Sequence, residues 1–180
     1  MKKSCWNKAL NAYATAYIFS ERANSLRTKQ RLLTFLGIGF PSLVGICVLS
    51  FSFYEKILPF LIPVAGLAGV IQVLGSIWAL IAKWDDAYAV ASEASKKNTS
   101  LKNDWQLLVT QWPHDIEHKY NELYQADSRV EQSDIQRGVS DKEKRKGMRA
   151  ALLQFGRKCA TCAQVPKSMT ASDCGVCGNF

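Results

Sequence analysis

The sequence predicts an all-α membrane protein. A transmembrane helical hairpin carries cytoplasmic amphipathic helices and a small C-terminal zinc knuckle or ribbon. Three observations predict this. First, Leu32 to Tyr54 is a run of 23 residues without a charge, and Ile57 to Ala82 is a second of 26. Crossing ~30 Å of hydrocarbon at ~1.5 Å per residue takes ~20 mostly apolar residues. Second, apolar and aromatic residues recur at helical spacing on both sides of these runs. Third, four of the six cysteines fall in the last 22 residues, as two CxxC pairs. Only Glu55 and Lys56 separate the two runs, so the connection is a tight turn. A pair of buried helices in a soluble domain is the alternative, but two such long runs are rare in a chain of 180 residues.

These features divide the chain into five parts. Residues 1–31 form an N-terminal amphipathic juxtamembrane helix, and 32–82 the two-helix hairpin. Residues 83–125 are cytoplasmic helices, 126–157 a charged linker or helix, and 158–180 the cysteine tail. In the first part Trp6, Leu10, Tyr13 and Tyr17 recur at spacings of 4, 3 and 4, one face of a helix. Arg22, Arg27, Lys29 and Arg31 precede the first span and Lys83 follows the second. These five are the basic residues expected at the membrane surface, where they can snorkel to lipid phosphates. The turn offers only Lys56, beside Glu55. The positive-inside rule therefore places both termini in the cytoplasm. The first apolar run begins behind a charged, aromatic leader and does not read as a secretory signal.

The first span contains Gly37, Gly39, Pro41 and Gly45, and Pro41 should kink the helix or loosen its ladder. Thr34, Gly37, Pro41, Gly45 and Ser52 fall on one stripe, broken by Val48. In the second span Pro59 and Pro63 lie near the start, where a helix tolerates proline best. Ala65, Gly69, Gln72, Ser76 and Ala79 form a small and polar stripe that continues to Lys83. In lipid, helices associate through small residues and side-chain hydrogen bonds. The stripe packs the two spans together, or it also faces other copies or lines a water path. Mid-span Gln72 favours the second reading, because a buried amide needs a partner.

Beyond Ala82 the helical pattern continues through Trp84, Tyr88 and Ala91 to a polar break at Lys96–Ser100. Asn103 or Asp104 caps a further helix with Trp105, Leu108 and Trp112. After Pro113, Ile116, Tyr120, Leu123 and Tyr124 make an amphipathic face whose partner is the N-terminal aromatic helix. Residues 126–147 are polar and end in Asp-Lys-Glu-Lys-Arg-Lys, read as a linker or an exposed helix.

Net charge is distributed as +6 over residues 1–31, −4 over 83–135 and +6 over 136–180. A basic C-terminal block suits nucleic acid, anionic lipid or an acidic partner, or is a plain solvated surface.

Cys159-Ala-Thr-Cys162 and Cys174-Gly-Val-Cys177 are separated by 11 residues. Each pair can place two thiolates on one tetrahedral Zn2+ ion. Four thiolates leave no open position, so the metal is structural rather than catalytic. Gly175 and Gly178 suit the tight turn around the second pair, and Arg157, Lys158 and Lys167 offset the thiolate charge. In a cytoplasmic setting thiols stay reduced, which favours metal over disulfides; free thiols or a redox pair are the alternative. His114-Asp-Ile-Glu-His118 also fits the HxxEH pattern of inverted zinc peptidases. Three fixed positions in five arise often by chance, and the rest of the chain is too short for a peptidase cleft. The chain is expected not to be an enzyme.

The aromatic leader, Gly37-Ile-Gly-Phe-Pro41, the turn at Glu55-Lys56 and Trp84 together resemble the SLATT group, over roughly residues 1–125. These are two-transmembrane effectors of bacterial nucleotide-signalling defence systems. The tail resembles the mobile-element family named for its spacing, CxxCx(11)CxxC, met here by Cys159, Cys162, Cys174 and Cys177. The resemblance implies a multi-pass protein of the bacterial inner membrane. It implies a homo-oligomer that breaches that membrane in response to a partner protein or nucleotide signal. The other expectation is a membrane-tethered zinc adaptor that binds nucleic acid or a partner without permeabilising.

Overall fold

The computed structural model describes residues 1–51 and 58–180. The expected Glu55–Lys56 turn and Ser52 lie outside the described residues. Among those described are five helices and no strand. They are α1 (Lys2–Phe51), α2 (Leu58–Ile81), α3 (Trp84–Gln111), α4 (Ile116–Gln136) and α5 (Asp141–Phe155). Two helices are long and apolar enough to cross a membrane, over Lys2–Cys47 and Ile62–Ile81.

Two expected boundaries differ in the structure. The juxtamembrane helix and the first span are one continuous helix, α1. No glycine or proline interrupts Lys2 to Leu36, so the change at Arg31 is a change of polarity and not of backbone. Pro41 is accommodated inside α1. The polar break at Lys96–Ser100 is absent, and α3 runs through it without a cap at Asn103 or Asp104. Asn98 explains why: it is buried, and its Nδ2 donates to Ala94 O at 3.0 Å and to Asp134 Oδ2 at 2.6 Å. The charged stretch near residue 141 is helical rather than a linker, and Asp141, Lys142 and Lys144 in it are exposed. Ser140 and Glu143 form a capping box that starts α5, and Gly156, at φ 59°, ends it in the left-handed region.

The helices divide into two compact units. The first comprises Met1–Arg22 and Val90–Phe180. Here the N-terminal part of α1 is buried on two sides. Cys5, Ala9 and Ala12 meet Leu101, Trp105 and Leu108 of α3, with Ile116, Tyr120 and Leu123 of α4 against them. On the other side Leu10 and Ala14 meet Ala151 and Leu152 of α5 and the cysteines of the tail. The aromatic face therefore serves α5: Trp6 and Tyr13 both pack edge-on against Phe155, at 6.2 and 5.9 Å. The α4 face meets the small residues of α1, since small side chains let a third helix approach. The closest approach is at Gly147 of α5. A Cβ there would lie 2.7 Å from both Ala14 O and an Ile18 side-chain carbon.

Arg22, expected among the membrane-surface basic residues, is engaged within this unit. Its Nε and Nη2 bond the two Glu143 carboxylate oxygens at 2.5 and 2.7 Å, and Nη2 also reaches Gly138 O at 2.7 Å. Arg22 and two donors from Ser140 hold the Glu143 carboxyl at about 2. A depressed folded pKa stabilises the fold above the ordinary carboxylate range and is lost as pH falls toward about 2. After discounting for partial exposure, the pair is worth ~1–2 kcal/mol. The gap in unfolding free energy between wild type and Glu143→Gln should therefore be full near neutrality and close between about pH 4.5 and 2. Denaturant titrations across that range check it, and a gap that does not change contradicts it.

The second unit comprises Ala23–Ala89. In it, α1 and α2 pack through a face of half-buried residues. Leu33, Gly37, Phe40, Val44 and Cys47 recur along α1 at spacings of 4, 3, 4 and 3. Gly37 sits against Gln72, and Gly75 against Leu33. The first-span stripe is thus only partly a packing face. Gly37 lies in the contact, whereas Thr34, Pro41 and Gly45 are exposed.

Candidate metal centre

The tail has no regular secondary structure and is shaped by two turns. In the first, Ala163 N donates to Cys159 O at 3.0 Å; in the second, Gly178 N donates to Cys174 O at 2.9 Å. Both turns close over the same i to i+4 interval, which brings the two sulfurs of each CxxC pair to one side. Ala163 accepts a left-handed φ of 55° to do so. Gly178 is required by proximity: a Cβ there would lie 2.1 Å from Ser172 O.

The result is convergence of all four thiols. Cys159 and Cys174 Sγ are 3.9 Å apart, and Cys162 and Cys177 Sγ are 3.7 Å apart. All four sulfurs lie within 4.8 Å of one another. A tetrahedron with metal–sulfur bonds of ~2.3 Å has edges of ~3.8 Å, so the set fits a tetrahedral metal ion. Among the described residues no other group of three or more histidine, cysteine, aspartate or glutamate ligands converges in this way. Cys159 and Cys177 are buried, whereas Cys162 and Cys174 are half-buried. The backbone N–H groups of Cys177 and Val176 point at Cys174 and lower its thiol to about 6. Burial pushes the Cys177 thiol up. A thiolate is thus favoured at the rim and disfavoured at the base, where a cation would reverse the cost.

The charged groups that hold the tail differ from those expected to offset its thiolate charge. Arg157 donates to Asn7 Oδ1 at 2.8 Å, and Lys158 and Lys167 are exposed. Arg149 of α5 takes the central place. It is buried, and its guanidinium donates to Ser168 O at 2.7 Å, Cys177 O at 3.0 Å and Ser172 Oγ at 3.2 Å. One turn earlier, Arg145 Nε donates to Asn179 O at 2.9 Å. Sequence reasoning missed both, because backbone carbonyls leave no mark in a sequence. The available signal was their i, i+4 spacing beside Gly147, Ala150 and Ala151.

The remaining expected residues lie elsewhere. His114 and His118 are exposed, and among the described residues His118 meets Glu122, at 3.5 Å. On α2, Ala65, Gly69, Gln72 and Ala79 are half-buried and Ser76 is exposed. Arg27, Lys29, Arg31 and Lys83 are exposed, and Lys29 lies over the Trp84 ring at 5.5 Å.

Fold and site together define a class: all-helical, with two apolar helices of membrane-spanning length and a tail of four thiols that could hold a metal ion. The family described as "Mobilome CxxCx(11)CxxC protein" matches residues 2–180, and the chain belongs to it. No curated protein and no solved structure matches. The match covers the hairpin as well as the tail, so the two parts form one family unit.

Proposed function

We propose that this protein is a membrane effector of a bacterial mobile-element or anti-phage defence system. Its hairpin crosses the inner membrane with both termini cytoplasmic. Copies assemble through the hairpin and permeabilise the membrane. The tail holds a structural Zn2+, and the role is not enzymatic. The reading draws on the SLATT resemblance of the first ~125 residues and on membership of a mobilome family.

One observation carries it. The apolar side chains of the hairpin are exposed, among them Phe35 at 67%, Phe60 at 77% and Leu80 at 75%. Contiguous apolar surface beyond roughly a few hundred Å² is rare on soluble monomers and marks an interaction site, which supports lipid as its surroundings. The polar atoms of the α2 stripe support assembly. Gln72 and Ser76 make no hydrogen bond within the described residues, and a Cβ at Gly69 would meet nothing within 4 Å. In hydrocarbon an amide without a partner is costly, and another copy can supply one. Four cysteines and no open position favour zinc in a structural role.

Purified chain reconstituted into sealed vesicles should release a trapped dye. In intact cells, a thiol label applied outside should reach a cysteine placed at Glu55 and none near either terminus. Labelling near a terminus contradicts the topology. Lys158 and Lys167, exposed and without an ion pair, favour the second reading, a membrane-tethered zinc adaptor for nucleic acid or an acidic partner. Vesicles that stay sealed while the chain binds such a partner would select it.

A further inference from the structure

We propose that a groove between α1 and the start of α3 binds one anionic phospholipid, with its phosphate between Arg27 and Arg31 and an acyl chain along Phe35, Ile38 and Gly39. This rests on the membrane reading above and gives it a specific ligand. The groove is an open one of about 710 Å³ within the hairpin unit, and Tyr88 lines its α3 side. From Arg27 to Gly39 it follows α1 for ~18 Å at ~1.5 Å per residue.

Its chemistry changes along that length in the same sense as a lipid. Arg27 and Arg31 are one helical turn apart at the polar end, and neither has an ion pair or hydrogen bond within the described residues. The nearby carboxylate of Asp85 accepts instead from the neutral amide of Gln30, at 2.6 Å. The Thr34 hydroxyl donates to Gln30 O, at 3.0 Å, so its proton is committed to its own helix and not to the groove. The Tyr88 hydroxyl is likewise without a hydrogen bond. Two guanidinium forks and a phenol suit a phosphate, which arginine binds in bidentate fashion. The other end is apolar, and Gly39 keeps it open: a Cβ there would already touch the Phe35 ring at 3.4 Å. Lys29 points elsewhere, onto Trp84, and does not line the groove.

The test uses the full chain reconstituted with phosphatidylcholine and phosphatidylglycerol. Phosphatidylglycerol retained per chain after detergent extraction is counted by native mass spectrometry. Wild type and Lys29→Gln should each keep about one molecule, as one groove per chain requires. Arg27→Lys with Arg31→Lys keeps the charge but loses the forks, and retention should fall roughly tenfold. Gly39→Leu leaves the charge unchanged but fills the apolar end, and should give a similar loss. Retention at the wild-type level in either variant would mean diffuse surface charge and overturn the site. Displacement of the lipid by inorganic phosphate would overturn the lipid as its occupant. Flotation with neutral phosphatidylcholine vesicles separates the two levels. A chain that floats yet keeps no phosphatidylglycerol sinks the site alone, and a chain that never floats sinks the membrane reading.

Discussion

Cys174→Ser should take the metal content of the purified protein from about one ion per chain to near zero, and release the tail from α5. Three sulfurs would remain, but the fourth closes the tetrahedron through its 3.9 Å approach to Cys159. The tail has little else to fold on. Its buried contacts are Cys159 and Cys177 against Leu10, Ala14 and Leu152. Below about 40 residues such a core rarely suffices without a metal or disulfide. Structural zinc in small domains supplies ~10 kcal/mol or more of folding free energy, so its loss should be complete rather than graded. Arg149 would then lose carbonyl partners while itself buried, which adds to the cost. Elemental analysis reads the ion, and amide hydrogen exchange over 159–179 reads the order. Full occupancy in Cys174→Ser would show that the ligand set is different.

A second large effect is expected on α2. Gly69→Leu should abolish dye release by preventing the close backbone approach of another copy. Gln72→Leu removes a polar contact worth ~1 kcal/mol per helix pair, and several copies compound that. The geometry separates the two. A Cβ added at Gly69 would meet nothing within 4 Å, whereas Gln72 lies against Gly37 of α1. Gly69→Leu should therefore spare the hairpin fold, whereas Gln72→Leu also touches the packing within a copy. Leu74→Ile, on an exposed apolar face, is the silent control. Both variants should insert normally. Wild-type leakage from both would remove the stripe from the mechanism.

What was legible follows from where each signal is stored. The hairpin is legible because the absence of charge over 23 and 26 residues needs no knowledge of partners. The cysteine cluster is legible because its members are side chains at fixed spacing. Hidden features are those made by distant partners. Asn98 looks like a break until Asp134, 36 positions on, accepts from it. Arg22 looks like one more basic residue before a span until Glu143, 121 positions on, pairs with it. Arg149 is committed to carbonyls, which every residue carries. The charged run that opens α5 exposes Asp141, Lys142 and Lys144, but Arg145 within it reaches Asn179 O of the tail.

The most direct measurement is the membrane potential of living bacteria that express the protein beside its natural neighbouring genes, read with a potential-sensitive dye. If the hairpins assemble and breach the inner membrane, the potential collapses once the system is triggered, and Gly69→Leu cells keep theirs. A potential that stays intact in triggered wild-type cells, with the protein present in the membrane, would contradict the effector account.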